Sequence, residues 1–118
     1  MQQAILECKK GSVYYWYTNI DFTKRTVFLL HGLTANHAMF DKQIEFLSGK
    51  YNVIVWDAPA HGKSRPYSNF SYEDAVAVML HILNKLYIVY IYSFCISVYK
   101  TVDGNTIQFI AEFWLKMN

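Results

Sequence analysis

Two short apolar runs constrain this chain more than any other feature. Thr26-Val27-Phe28-Leu29-Leu30 and Asn52-Val53-Ile54-Val55-Trp56-Asp57 carry apolar residues at consecutive positions rather than alternate ones. Successive residues of a strand face opposite sides of a sheet, so a strand apolar at every position must be covered on both sides. Each run stops at a turn that contains glycine. The first turn is Leu30-His31-Gly32-Leu33-Thr34, and the second is Asp57-Ala58-Pro59-Ala60-His61-Gly62-Lys63-Ser64. In open α/β sheets ligands bind at the carboxyl ends of the strands, and glycine there lets backbone N–H groups come close to a ligand.

The segments around these runs read as helices. Phe40, Ile44 and Leu47 lie at spacings of four and three and form one stripe, with Asn36 as its N-cap and Gly49 as its stop. Ser71-Tyr72-Glu73-Asp74 has the form of a capping box, and it opens a helix whose apolar face is Val76, Met79, Leu80, Leu83 and Leu86. Residues 4–9 and 13–18, rich in β-branched and aromatic side chains, flank a turn at Lys10-Gly11 and predict a hairpin. The expected fold class is α/β, a mostly parallel sheet with covering helices behind an N-terminal β-hairpin.

Composition narrows the function classes. With 118 residues, 53% hydrophobic and 17% charged, the chain has material for one domain and is not of disordered type. Eleven Lys and Arg against nine Asp and Glu leave a scattered +2, so no nucleic-acid partner is expected. The longest apolar run, 86–99, is shorter than the roughly 20 residues of a membrane span and reads as a buried strand, so no membrane partner is expected. The first residues lack a basic start followed by an apolar run, and Cys8 and Cys95 form no close motif. Both thiols are expected to be reduced and the location cytoplasmic. No metal and no cofactor are expected.

Together the two turns resemble the α/β-hydrolase family. Its members carry a His-Gly turn after strand three and an Asp-x-Pro-Gly-x-Gly-x-Ser turn after strand four. Here they stand as His31-Gly32 and Asp57-x-Pro59-x-His61-Gly62-x-Ser64, with Ala60 where glycine is usual. The resemblance covers residues 13–86 in order and spacing. It implies hydrolysis of a carboxylic ester, amide or related acyl bond in a small-molecule substrate. It makes Leu33 the oxyanion-hole residue, acting through its backbone N–H. It makes His31 and His61 turn-stabilising residues rather than bases, and it leaves His37 and His81 on helices as surface or partly packed residues. Gly62-Lys63-Ser64 also matches the end of a phosphate-binding loop, but that loop needs a glycine at position 57, where Asp57 stands, and Pro59 removes a donor.

The family's nucleophile sits in G-x-S-x-G at a strand-to-helix turn, and this chain contains no such string. Tyr99-Lys100-Thr101-Val102-Asp103-Gly104 falls where it belongs. Thr101 takes the nucleophile slot, while Tyr99 and Asp103 replace glycines. Asn105 or Thr106 would then cap a following helix with the stripe Ile107, Ile110, Ala111 and Trp114. Cys95, flanked by Ser93 and Ser97, is an outside candidate. No histidine follows His81, so the base is not found where the family order puts it.

Residues 1–118 are therefore expected to form a single, partial α/β-hydrolase domain, with a motif-bearing part at 13–86 and a divergent segment at 87–118. The expected protein is a catalytically incomplete fragment of a hydrolase, and whether it is an enzyme stays open. The alternative is a non-catalytic binding or assembly module. Its exposed sheet edge would then pair with another copy or with a complementing chain.

Overall fold

Both apolar runs are central strands. The computed structural model describes the backbone of residues 1–89, 91–102 and 105–111, and the side chains of residues 1–89 and 91. Strands β1 (Gln2–Cys8) and β2 (Gly11–Tyr17) form the expected hairpin, its turn lying at Lys9-Lys10, one residue earlier than the sequence suggests. Next come β3 (Thr26–His31), a 3-10 turn (His37–Phe40), α1 (Asp41–Leu47), β4 (Asn52–Trp56) and α2 (Tyr72–Lys85). Then follow β5 (Tyr92–Val102) and β6 (Asn105–Ala111).

One sheet holds all of these strands in the order β1-β2-β4-β3-β5-β6. Its centre is parallel, with β3 between β4 and β5. Its flanks are antiparallel, through β1–β2, β2–β4 and β5–β6. The fold class is α/β as expected, with the parallel pairing confined to the middle three strands.

Alternation on β3 and β4 divides the core between the two faces. Phe28, Ile54 and Trp56 join Leu6, Val13 and Tyr15 from the hairpin and meet Val78, Met79, Ile82 and Leu83 of α2. Val27, Leu29, Val53 and Val55 point the other way and pack on Phe40. Burying each such side chain contributes about 1.5–3 kcal/mol, which makes these strands the stable centre of the domain.

Ser71 caps α2 where the sequence places it, whereas Asn36 caps the 3-10 turn and α1 follows Phe40 with no side-chain cap of its own. The Asn36 side chain accepts the Ala38 N–H, and the Ser71 hydroxyl accepts the Asp74 N–H. The face of α2 is rotated from expectation. Val78 and Ile82 are buried, while Val76 is 45% exposed. The apolar arc of the helix, which holds Ala75, Val76, Val78, Met79, Leu80, Ile82 and Leu83, is wider than the face it buries, so spacing alone does not choose which part turns inward.

The helix expected after Asn105 is corrected to strand β6. Thr106, Ile107, Phe109 and Ile110 are strand formers, and pairing with β5 satisfies an edge that would otherwise stay open. Trp114 of the expected stripe, and residues 103 and 104, lie outside the described residues.

At the amino ends of the central strands, Asn52 ties down the preceding loop. It accepts the Asp21 N–H and donates to the carbonyls of Asp21 and Lys24. The carboxyl ends are left to the two glycine turns.

Candidate functional site

At the end of β4 the chain turns through Asp57, and this residue organises the site. Its side chain is 1% exposed. A buried carboxylate is tolerated only when donors surround it, and here they converge from three directions. Oδ1 accepts the His37 N–H at 2.8 Å and the His37 ring Nδ1–H at 2.7 Å, while Oδ2 accepts the Lys63 N–H at 2.8 Å. Burial alone would push the Asp57 carboxyl up. The His37 and Lys63 donors outweigh it and hold the group below the ordinary carboxylate range.

The rest of the β4 turn closes on itself. The Ser64 hydroxyl donates to the Asp57 carbonyl at 2.5 Å and accepts the Tyr14 N–H at 2.9 Å. Ala60 N–H donates to Ser64 O, His61 N–H to Ala58 O, and Ser64 N–H to His61 O. Gly62 adopts φ +47°, and a Cβ there would collide with the Asp57 carboxylate, so glycine is required on both counts. Ala60 adopts φ +69°, which explains physically why glycine is usual at that position. The Lys63 amide and the Ser64 hydroxyl are both engaged inward, and Gly62-Lys63-Ser64 is a turn folded on its own carboxylate.

The turn after β3 is built differently. Gly32 to Ala35 form a β-turn through an Ala35 N–H to Gly32 O bond of 3.3 Å. Thr34, at its third position, adopts φ +67°. A left-handed β-branched residue is an outlier, costing about 1–3 kcal/mol unless its surroundings hold it. Leu33 lies inside this turn with its side chain 45% exposed. Among the described residues no acceptor pairs with the Leu33 N–H.

The four histidines divide as follows. His31 is buried, and its Nε2 accepts the Ala58 N–H at 2.9 Å while its Nδ1 faces the Gly32 carbonyl at 2.8 Å. These contacts require a neutral ring protonated at Nδ1. Burial pushes the His31 pKa down, partly offset by the Gly32 carbonyl. His61 donates from Nδ1 to the Pro59 carbonyl at 3.0 Å. Its ring lies 5.2 Å from His31 and 5.9 Å from Phe70. His81 is exposed on α2. His37 opens the 3-10 turn and is partly packed, as expected, but its packing is specific: it clasps Asp57 and stacks on Trp16, with ring centroids 3.7 Å apart. Sequence signalled a buried acid at the end of an apolar strand, a group that must find donors. It could not name His37, twenty positions away, because that pairing needs the parallel register of β3 and β4.

The remaining candidates lie on β5. The register sets Cys95 beside Leu30 and Ile96 beside His31. Thr101 pairs with Thr106, five positions beyond Ile96 along the β5–β6 ribbon. The elbow slot is thereby corrected: Thr101 lies within a strand-to-strand ribbon, not at a strand-to-helix turn. Among the described residues, no group of three or more His, Cys, Asp or Glu is placed to hold a metal ion.

Known proteins are similar to this chain in sequence or in fold. Over 56 residues the chain is 32% identical to an (R)-3-hydroxydecanoyl-ACP:CoA transacylase of Pseudomonas putida, a match covering 48% of this chain and 19% of that protein. Its fold is similar to that of an alpha/beta hydrolase enzyme from a Medee basin deep-sea metagenome library. The TM-score is 0.72 at 19% identity, over 80% of this chain and 35% of that one. It is also similar to the enol-lactonase of Burkholderia xenovorans LB400. There the TM-score is 0.70 at 18% identity, over 80% and 37% of the two chains. The chain thus spans about a third of the length of these solved structures and a smaller part of the transacylase. Residues 25–92, which contain both turns and the strands that carry them, match the family described as the alpha/beta hydrolase fold. The chain belongs to the alpha/beta hydrolase fold family.

Proposed function

We propose that this chain is the oxyanion-binding, substrate-edge portion of a hydrolase acting on a carboxylic ester, amide or related acyl bond. In this reading the Leu33 N–H donates to the oxygen on which charge develops during acyl transfer, an interaction worth more in the transition state than in the ground state. His31, Gly32, Asp57, Pro59, His61, Gly62 and Ser64 shape the two turns and do not touch the reacting atoms. The single observation carrying the proposal is the Leu33 amide, which lies in a strained, anchored turn at the sheet's carboxyl edge and has no acceptor among the described residues. Because only backbone is needed, an exposed leucine side chain is compatible with the role.

The chain taken alone is read as catalytically incomplete. It contains no G-x-S-x-G, no histidine follows His81, and neither Thr101 nor Cys95 sits at a strand-to-helix turn. Residues 1–118 are read as one partial domain. A cytoplasmic location belongs to the same proposal, supported by the free Cys8 thiol, whose pKa burial pushes up. Among the described residues no helix is long and apolar enough to cross a membrane.

Two measurements on the purified chain test this. In 1H–15N spectra, titration with hexanoate, whose carboxylate stands in for the acyl oxyanion, should move the Leu33 amide more than any other. An unmoved Leu33 would refute the oxyanion role. Turnover of p-nitrophenyl butyrate should be no faster than in Thr101→Ala and Cys95→Ala variants. Turnover abolished by either substitution would show the chain to be a complete enzyme.

A second reading draws on the position of β1, a seven-residue strand paired on one side only, with Ile5 42% exposed. Such an edge can pair with another copy or with a complementing chain. Monomeric elution in gel filtration across a hundredfold range of concentration would count against self-pairing.

A further inference from the structure

We infer that His37 is a positioning residue for the oxyanion turn. Clasped by Asp57, it fixes the exit of the turn as His31 fixes its entry. The inference rests on the reading of Leu33 as the oxyanion donor.

Among the described residues, both hydrogen bonds onto the turn's backbone end on the Gly32 carbonyl, from Ala35 N–H at 3.3 Å and from the His31 ring Nδ1–H at 2.8 Å, and neither holds Leu33 or Thr34 directly. Thr34 lies within the turn at φ +67°, a conformation that the residue would abandon if released. Leaving that conformation would swing the Leu33–Thr34 peptide and its neighbours, so the direction of the Leu33 N–H depends on whatever holds the two ends. At the entry, the buried His31 ring accepts the Ala58 N–H at 2.9 Å. At the exit, both the amide and the ring of His37 donate to one oxygen of Asp57.

Both anchors therefore attach to consecutive residues, Asp57 and Ala58, of the self-closed turn after β4. Three features make the exit anchor firm. Asp57 is a buried carboxylate, and hydrogen bonds to a charged acceptor are about twice as strong as neutral ones. Its other oxygen is held by the Lys63 N–H, so it cannot rotate to follow a moving partner. The His37 ring also lies against Trp16, interplanar angle 23°, which restricts the ring to the orientation that aims Nδ1 at Asp57. His37 contributes through geometry, by transmitting the rigidity of the β4 turn to the β3 turn.

Two substitutions separate the parts of this anchor. Phenylalanine keeps a ring for Trp16 but has no donor, whereas the asparagine side-chain N–H falls where Nδ1–H is now, without the ring. His37→Phe should leave melting cooperative and core resonances in place. It should lower the 15N order parameter of Leu33 and weaken hexanoate binding about tenfold, the scale expected when a donor is misaligned. His37→Asn should restore both to within about twofold of the parent, as the loss of a ring stack alone is a smaller effect.

Unchanged order and affinity in His37→Phe would overturn the proposal. So would a His37→Asn variant as impaired as His37→Phe, since stacking would then be the whole effect. If both variants unfold, the unsubstituted chain still decides, because the His37 Nδ1 proton should be observable and slow to exchange, and a fast-exchanging ring proton contradicts the clasp. If the parent chain fails to bind hexanoate at Leu33, the oxyanion reading falls alone, and the order parameters still decide the positioning role.

Discussion

The turns after β3 and β4 occupy the same edge of the sheet, yet they are held in opposite ways. The β4 turn is closed by its own residues. Ala58, Ala60, His61 and Ser64 bond among themselves, and the Asp57 carboxylate is folded back over Gly62. The β3 turn has one long internal bond, a strained threonine, and two histidines that reach across to its neighbour. One turn is a scaffold and the other is held by it. The Leu33 amide, without an acceptor among the described residues, lies in the held turn, where a donor can face a ligand without weakening the structure that positions it.

Removing a hydrogen-bonding side chain from the scaffold turn should therefore have a larger effect than substituting Leu33 or Thr34 in the held turn. Asp57→Ala should be the most damaging, because it strands the His37 and Lys63 donors. A loss of about 3 kcal/mol is expected in denaturant unfolding, and a loss under about 1 kcal/mol would deny Asp57 its organising place. Ser64→Ala removes a buried hydroxyl that both donates and accepts, and should lower stability by about 1–3 kcal/mol on the same assay.

Acid should loosen the two turns at different pH. The folded His31 pKa lies below its ordinary 6.5, so the unfolded chain binds more protons there, and stability falls as pH drops below that value. The folded Asp57 pKa lies below its ordinary 3.8, so its contribution is complete above that pH and is lost only as pH falls through the folded value. His31→Gln keeps an acceptor but cannot be protonated, and should flatten the upper arm of the melting-versus-pH curve while leaving the lower arm. An unchanged upper arm would mean that the His31–Ala58 contact is not what titrates.

Smaller effects of opposite sign are expected at Thr34 and Ala60, the left-handed non-glycine residues of the two turns. Thr34→Gly relieves about 1–3 kcal/mol of strain against an unfolded-state entropy cost of up to about 1, for a net gain near 1 kcal/mol. Ala60→Gly should gain about 0.5 kcal/mol, because alanine is less strained at positive φ than a β-branched residue. A lower melting temperature in Thr34→Gly would show that the threonine makes a compensating contact. The smallest change is expected from Leu33→Ala. It should shift stability by less than about 0.5 kcal/mol and leave hexanoate binding intact, because the role assigned to Leu33 belongs to its backbone.

Much of this was legible in the sequence where local rules are strong. Apolar runs covered on both faces identified β3 and β4, and the side-chain chemistry of Asn36 and Ser71 marked the starts of the 3-10 turn and of α2. The paired His-Gly and Asp-x-Pro turns led to the family, and the role proposed for Leu33 follows from that resemblance. Ala60, the departure from the family's glycine, could be noticed in the sequence, but its cost became visible only with its φ angle.

Other features depend on information that one sequence does not carry. The inner face of α2 depends on the rotation of a helix whose apolar arc is wider than the surface it buries. Residues 105–111 have a spacing that suits a helix and a composition that suits a strand, and the open edge of β5 decides between them. The His37–Asp57 clasp depends on tertiary register, because neither residue has a local reason to find the other.

The most direct test of the account is amide hydrogen exchange on the unsubstituted chain. The His37, Ala58 and Lys63 amides, each donating to the scaffold turn or to its anchors, should be protected, while Leu33 between them exchanges close to the rate of an open peptide. Protection of Leu33 equal to that of its neighbours, or free exchange at His37, Ala58 and Lys63, would contradict a donor left open inside a closed network.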